Sequence, residues 1–598
     1  MPTRTHHCNQ LRTEHIGQTV NLAGWVNAYR DHGSGLIFID LRDREGLTQL
    51  VFDTEDSSPA VLAVADKLRN EDVVAATGIV RTREGGPNPK LDTGEIEVVV
   101  QEIKLLSKTD KLPFLPSDEE NMPGEEMRLR YRYLDLRRPK MQQILRTRHR
   151  VAKLTRDYFD EQGFLEIETP ILCKSTPEGA RDFVVPSRLQ PGEWYALPQS
   201  PQLFKQILMV AGCEKYLQIC RCFRDEDPRA DRQAEFTQID CEMSFVERED
   251  VMQVMEGFAQ KLWKEVLDYE APAFERLTYR ECLDRFGIDR PDTRFDLEIV
   301  DISDLAAKTD FGVFATALAK DRGVVRAIRV PGGATKLTRK MTDRYTEFVK
   351  QFGAGGVPVC KCTDKGLETG IARFVEPVAD ELIARLGLEP GDSVLFGADS
   401  YGTCVKALGE LRLQVAKDLD MIPEGKWNFL WVVDFPMFEY NEEAGRFQSL
   451  HHPFTAPRPD QIDAFLAADA NDRDAIEAIL SDGYDMVVNG SEVGGGSIRI
   501  HRKEVQERVF SLLGISPEDA VEKFSFLLDA LRFGAPPHGG IAFGLDRVVM
   551  HLCSTDNIRD VIPFPKTQTG GDLMSGAPGE VSDEQMQELH VKSTWEGE

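Results

Sequence analysis

Residues 216–245, YLQICRCFRDEDPRADRQAEFTQIDCEMSF, hold two alternating runs around a loop of charge and proline, which predicts a β-hairpin with a long polar tip. The first run leads into Arg224. In the second, Gln238, Asp240, Glu242 and Ser244 share one face because strand side chains alternate, while Ile239, Cys241, Met243 and Phe245 share the other. The apolar set reads as core and the polar set as a wet face, a common arrangement in half-solvated sheets. Two carboxylates, an amide and an arginine there make a floor suited to an ammonium group and a phosphate together. Farther on, YDMVVNGSEVGGGSIRIH supplies Asp485, Glu492 and Arg499 around Gly494, Gly495 and Gly496. The two carboxylates can share a hard cation such as Mg²⁺ and leave positions open for phosphates. Arg499 is a fork-shaped donor fit for a bidentate grip on a carboxylate, and the glycines let the backbone approach a ligand closely. In PPHGGIAFGLDRVVMHL a strand, the turn Gly544–Leu545 and a helix opening at Asp546 put Arg547 in a first helical turn. A cation there is unfavourable to the helix dipole unless an anion lies beside it. ALPQSPQLFKQILM adds Ser200, Gln202 and Lys205, of which Lys205 suits a carboxylate, and HHPFTAP adds His451 and His452.

The words FRDEDPRADRQAEFTQID closely resemble motif 2 of the class II aminoacyl-tRNA synthetases in its aspartyl version, and PPHGGIAFGLDRVVMHL resembles motif 3. MQQILRTRHRVAKLTRDYFDEQGFLEIETPIL, an amphipathic helix closed by Gly163 and followed by a strand, resembles motif 1, which implies a homodimer. STPEGARDF at 175–183 resembles the family's flipping loop, with Glu178 able to close over an amine. The resemblance implies a ligase that activates L-aspartate with ATP and Mg²⁺ and transfers it to tRNA. Arg224 would then clamp the α-phosphate and Arg547 the terminal phosphate. Phe236 would stack the adenine, Asp225, Glu226 and Gln233 would hold its edge or the phosphates, and Gly544, Leu545 and Asp546 would line the same site. Glu492 would serve both ATP and the metal, with Asp485. Asp240 and Glu178 would meet the substrate ammonium; Arg499 and Lys205, with Ser200, Gln202, Arg224 and His451, would complete the aspartate pocket.

These groups must be positioned by a chain of 598 residues, long enough for roughly three to five domains, with 41% hydrophobic content to form cores. A net charge of −28 excludes indiscriminate coating of nucleic acid and confines RNA contact to local basic patches. MRLRYRYLDLRRPK, with Arg128, Arg130, Arg132, Arg137, Arg138 and Lys140, is one such candidate or else a solvated face. Eleven scattered cysteines form no framework, MPTRTHHCNQL lacks a signal-peptide core, and no stretch approaches the ~20 apolar residues of a membrane span. A reduced, soluble, cytoplasmic protein is expected.

Between residues 18 and 106, five short strand-like runs with a helical SPAVLAVADKL after the third predict an oligonucleotide-binding (OB-fold) Greek-key barrel. Phe38 on GLIFIDLRD reads as barrel core by periodicity. The match of GWVNAYRDHGSGLIFIDLRDREG to the bacterial aspartyl barrel reverses that and implies a base-stacking role, with Arg30, Gln49 and Glu95 at base edges. DHG, with His32 in place of a leucine, and Gly85 in the loop before NPK resemble the variants that charge tRNA(Asn) as well as tRNA(Asp).

The expected architecture is multidomain α+β. It comprises the OB-fold barrel (1–106), a hinge (107–140), an antiparallel-sheet catalytic core in two parts (141–284 and 416–567), a bacterial-type α+β insertion (285–415) and an extension (568–598). PGGA and GAGG in the insertion do not match a phosphate-loop pattern. The competing readings are an enzyme restricted to tRNA(Asp), an aspartate-activating paralogue without tRNA, and an RNA-binding protein on a dead scaffold. The intact barrel opposes the second, and Arg224, Glu492 and Arg547 oppose the third.

Overall fold

The computed structural model describes residues 3–176 and 179–595, so Glu178 lies outside the described residues. The chain divides into two compact units, one of Met1–His149, Asp227–Gln233 and Cys553–Val581, the other of Arg150–Glu226, Ala234–Leu552 and Ser582–Glu598.

In the first unit the predicted barrel forms from Thr19–Asp31, Ile37–Asp43, Gly46–Phe52, Val73–Thr82 and Ile96–Ser107, closed in the order first, second, third, fifth, fourth. Val20, Leu22, Val26, Ile39, Leu41 and Val98 fill it, and the helix Pro59–Ala65, N-capped by Ser58, lies between the third and fourth strands in sequence. The basic stretch that follows is not the free patch its composition predicts. Arg132 is 2% exposed and donates to the carbonyls of Arg559, Ile562 and Pro563. Arg138 pairs with Asp135, and Arg137 bonds Glu71 and lies over the Trp25 ring. Buried carbonyls and carboxylates need donors, and these arginines supply them.

The second unit is built on an eight-stranded sheet. Its order is Glu275–Thr278, Phe429–Val433, Gly483–Val488, Ser491–Ile498, His538–Gly544, Glu235–Ser244, Lys215–Phe223 and Leu165–Glu166, antiparallel except at the two edge pairings. The predicted hairpin is therefore interior, toward one side of the sheet, with Asp240 opposite Gln218 on one side and Ala542 on the other. Its apolar face packs on the helix Arg248–Leu267, where Cys241 meets Met255. Its polar face keeps the predicted alternation but is buried rather than wet: Asp240 is 1% exposed and Glu242 0%. The insertion folds as a five-stranded antiparallel sheet between Ile299 and Ser400 with a separate hydrophobic core on each face, followed by the helix Tyr401–Asp418. No helix among the described residues is long and apolar enough to cross a membrane.

Candidate active site

Four charged side chains meet over the hairpin strand Glu235–Ser244. Lys205, from the helix Gln202–Val210, places Nζ 2.9 Å from Asp240 Oδ2 and 3.2 Å from Glu242 Oε2. Arg499, just beyond the strand Ser491–Ile498, grips Glu242 with Nε at 2.9 Å and Nη2 at 3.1 Å. Lys205 and Arg499 are 1% and 2% exposed. Two cations and two carboxylates thus balance, the condition under which charges tolerate burial. Gly540 stands opposite Glu242 in the register, and a Cβ there would lie 2.1 Å from Glu242 Oε2, so the glycine makes room for the carboxylate. The sequence reading placed Lys205 and Asp240 at opposite ends of a substrate; the structure joins them directly.

The cluster is not fully satisfied. Asp240 Oδ1 and Gln202 Nε2 are buried without a hydrogen-bond partner. His452, rather than His451, reaches Arg499, its Nε2 lying 2.7 Å from Arg499 Nη1. The Phe454 N–H donates to His452 Nδ1 at 3.1 Å, which leaves the ring proton on Nε2 and sets two donors face to face. Burial and the charge of Arg499 hold His452 well below its ordinary pKa, so the ring is neutral. An anionic oxygen accepting from both groups would resolve the conflict, and Asp240 Oδ1 is an acceptor waiting for a cation. The site therefore calls for a ligand carrying both charges.

Burial separates the two carboxyl groups. Desolvation pushes Asp240 up to about 6 despite Lys205. For Glu242 burial acts in the same direction, but Arg499 and Lys205 outweigh it and hold the group at about 2. Only the ionised Asp240 attracts an ammonium. Because its pKa is raised, the charge is present above about pH 6 and lost below it. The KM for the amino-acid substrate should therefore rise about tenfold per pH unit below that point. Initial rates at fixed saturating ATP across pH 5–8 check this.

The acidic pair predicted for a metal also converges. Asp485 faces Gly495 across the strands, and a bulge between Met486 and Val487 of the register sets Glu492 opposite Val487. Strict alternation would put Glu492 and Gly495 on opposite faces; the extra residue, Val493, brings Glu492 to the Asp485 face. A Cβ on Gly495 would lie 2.8 Å from Asp485 Oδ1 and 3.3 Å from Glu492 Oε1. Gly495 thus gives the carboxylates room, whereas a Cβ on Gly494 would strike the Phe543 ring, a packing constraint rather than a ligand approach. The charge of Asp485 and burial raise the Glu492 pKa, a repulsion that a cation relieves. Among the described residues no three His, Cys, Asp or Glu side chains form a metal cage. Two carboxylates with room for waters and phosphate oxygens fit Mg²⁺. Gly495→Ala should weaken Mg²⁺ about tenfold or more, read as a higher Mg²⁺ requirement at fixed ATP.

His451 lies beside this pair, its Nε2 3.6 Å from Asp485 Oδ1 and its ring edge-on to Phe435 at 4.6 Å. Arg547, half-buried in the first turn of Leu545–Leu552, donates to the Glu492 carbonyl at 2.7 Å. Asp546 accepts the Thr237 N–H at 2.9 Å; it is a tie between helix and hairpin, where an ATP contact was expected. Leu545 is likewise buried, and Gly544 is half-exposed beside Arg547. Arg224 lies over the Phe236 ring, 5.1 Å from its centroid, so the two predicted phosphate and adenine residues adjoin. Asp225 pairs with Arg181 of the predicted flipping loop at 2.8 Å, an ion pair that neither spacing nor residue type in that loop points to. Glu226 is exposed, and Ser200 Oγ accepts the Gln202 N–H. In the other unit Gln233 is 6% exposed, and its Oε1 accepts the Lys566 N–H at 2.9 Å, so its amide already braces a neighbouring segment.

On the barrel, Phe38 is half-buried and meets exposed His32 edge-on at 5.2 Å, so it is not a core residue. Arg30 forms a two-pronged pair with Asp40 and donates to Gln49, which donates to Glu97. Gln49 is 2% exposed, the inner member of this ladder instead of the open base-edge group expected. Glu95 is exposed, and its carbonyl accepts the Arg83 N–H; a Cβ on Gly85 would meet nothing within 4 Å.

An OB barrel in one unit, and a largely antiparallel sheet with a hairpin that carries buried ionic groups in the other, define a class II aminoacyl-tRNA synthetase. The chain belongs to the family described as tRNA synthetases class II (D, K and N), matched over residues 124–568, with an OB-fold nucleic acid binding domain matched over 20–106. It is 53% identical over 594 residues to the aspartate–tRNA(Asp/Asn) ligase of Moorella thermoacetica, covering 99% of this chain and 97% of that one. It is 51% identical over 587 residues to the protein of that name from Hydrogenobaculum sp., covering 97% and 98%. The asparaginyl-tRNA synthetase from Pyrococcus horikoshii, solved with asparaginyl-adenylate, shares the fold at a TM-score of 0.59 and 20% identity over 95% of this chain and 99% of that one.

Proposed function

We propose that this ligase activates L-aspartate with ATP and esterifies it to the 3′ end of both tRNA(Asp) and tRNA(Asn). The observation that carries the reading is the balanced buried cluster with an open acceptor on Asp240 and open donors at Gln202 and at Arg499 with His452. Aspartate brings one ammonium and two carboxylates. Its ammonium suits Asp240, with Glu178 from the flipping loop, and its side-chain carboxylate suits Arg499, His452 and Lys205. Asparagine offers a neutral amide whose N–H groups would meet the same donors, and lysine would bring a repelled cation.

In the first step an α-carboxylate oxygen attacks the α-phosphorus of ATP, the bond to the bridging oxygen breaks, and pyrophosphate leaves. No protein nucleophile is needed, so the residues act by alignment and charge stabilisation. Arg224 holds the α-phosphate, Arg547 the terminal phosphate, and Phe236 the adenine, with Asp225, Glu226 and the Gly544–Leu545 turn around it. Mg²⁺ on Asp485 and Glu492 would supply neutralisation of phosphate charge. In the second step a terminal ribose hydroxyl attacks the adenylate carbonyl and AMP leaves.

Phe38 stacks an anticodon base, with Arg30 and Glu95 reading edges, Gln49 bracing Arg30, and His32 and Gly85 admitting either third base. Solvent-exposed Leu165, Ile171 and Leu172, on and just after the motif 1 strand, support a homodimer, and eleven free cysteines support a reduced, cytoplasmic setting. Charging of purified tRNA(Asp) and tRNA(Asn) side by side tests the reading. Comparable kcat/KM for both is expected, and efficient charging of tRNA(Asp) alone refutes the dual specificity.

A further inference from the structure

Cys220 and Cys222, on the strand Lys215–Phe223, take part in no step of the proposed reaction, and both are buried, at 4% and 0% exposed. Residues two apart on a strand share a face, and the register sets Cys220 opposite Gln238 and Cys222 opposite Phe236. The two thiols therefore lie on the Asp240 face of the hairpin, at its Phe236 end. Their sulfurs stand 3.8 Å apart, and Cys222 Sγ donates to Gln238 Oε1 at 3.2 Å. A disulfide would need about 2 Å. The observed spacing is instead that of two sulfurs bound to one atom, since two thiolates at about 2.3 Å from a tetrahedral ion stand about 3.8 Å apart. The strand pairs on its outer edge with Leu165–Glu166 only at Tyr216 and Leu217, so the backbone carrying the thiols is tied to a strand on one side only among the described residues.

Ligand number and charge select the occupant. Among the described residues no third His, Cys, Asp or Glu side chain completes a metal cage, which leaves a four-ligand ion such as Zn²⁺ two ligands short. A monovalent soft ion on two thiolates would carry a net negative charge into a buried place within the field of Asp240, at a high desolvation cost. The hydrogen bond with Cys222, then burial, pushes the Cys220 thiol far above its ordinary range, so it is a neutral S–H.

We propose that Cys220 and Cys222 form a chelating site for trivalent arsenic, taken up as arsenious acid. Two As–OH groups leave as water with the two S–H protons, and two As–S bonds replace two As–O bonds. The product is neutral and three-coordinate, its third ligand the remaining hydroxyl, and nothing is oxidised or reduced. Bound arsenic removes the Cys222 donor from Gln238 and adds an atom beside Phe236, so amino-acid activation stops. The inhibition rests on the adenine role of Phe236; the binding does not.

Sodium arsenite, titrated by calorimetry into the full-length protein in a phosphine reductant, is the probe. One arsenic per chain is expected, with affinity falling about 10²-fold or more in Cys220→Ala and in Cys222→Ala, because a single thiol forfeits the chelate. Either variant serves where the other fails to fold. Cys360→Ala, which breaks the C-x-C pair on the strand Val359–Thr363, should bind as the wild type does. ATP–pyrophosphate exchange should fall as the site fills and recover with a dithiol but not with a monothiol at equal thiol concentration. Absence of saturable binding, full affinity in the Cys220 and Cys222 variants, or loss of binding in Cys360→Ala with retention in Cys220→Ala would overturn the proposal. Binding that leaves exchange intact would overturn the inhibition alone, and exchange by the arsenic-free protein reports on the reaction separately.

Discussion

Arg499→Leu should lower kcat/KM for aspartate in ATP–pyrophosphate exchange on the order of 10³-fold while leaving ATP affinity within about threefold. The guanidinium contacts Glu242 through two nitrogens and points a third group, Nη1, at Ser497 and His452. Leucine removes the donor for the substrate carboxylate and also leaves Glu242 with Lys205 as its one remaining charged partner in the cluster. Loss of activation is therefore accompanied by loss of stability, about 3–5 kcal/mol for a broken buried pair. ATP is assigned to Arg224, Phe236 and Arg547 rather than to the cluster around Arg499, so ATP binding by equilibrium titration should persist. Wild-type aspartate-dependent exchange in this variant would remove Arg499 from the recognition site.

Glu242→Gln should produce the second-largest effect. It keeps the shape but deletes the charge that orients Arg499 and counters Lys205, both fully enclosed. Two buried cations would then share Asp240 alone, and Arg499 would lose the two-oxygen grip that fixes its plane. An increase in KM for aspartate of about 10²-fold or more is expected, with a smaller fall in kcat, because positioning is lost while the phosphate-side groups stay intact. Thermal unfolding should fall as well, since burial of unbalanced charge is costly. A KM for aspartate within threefold of wild type would show that Arg499 is held by Ser497 and the Gly540 carbonyl without Glu242.

The alternation at 238–245 was legible from the sequence because strand geometry imposes it, and so were Asp240 and Glu242 on one face. That this face is buried was not legible, because Lys205 and Arg499 lie about thirty-five and two hundred and fifty residues from it in the chain and only folding brings them over it. The metal pair was chosen on residue type, but its convergence depends on the bulge at Val493, a one-residue offset that no periodicity reveals. His452 gave way to His451 in the sequence reading because adjacent histidines cannot be ranked without knowing which faces Arg499. The arginines of 128–138 looked like an RNA surface because composition counts charge without its partners; Arg132 is enclosed by carbonyls. For Phe38 the pattern of alternation pointed inward and the family likeness outward, and its half-exposed place beside His32 favours the latter.

Activation of aspartate against asparagine tests the account at its centre, since both charges of the buried cluster enter the comparison. In ATP–pyrophosphate exchange with the wild-type protein, aspartate should support turnover with a kcat/KM at least about 10³-fold above that of asparagine. Equal exchange with the two amino acids, or exchange with asparagine alone, would contradict the assignment of Arg499, Lys205 and Asp240 to recognition of a dicarboxylic amino acid.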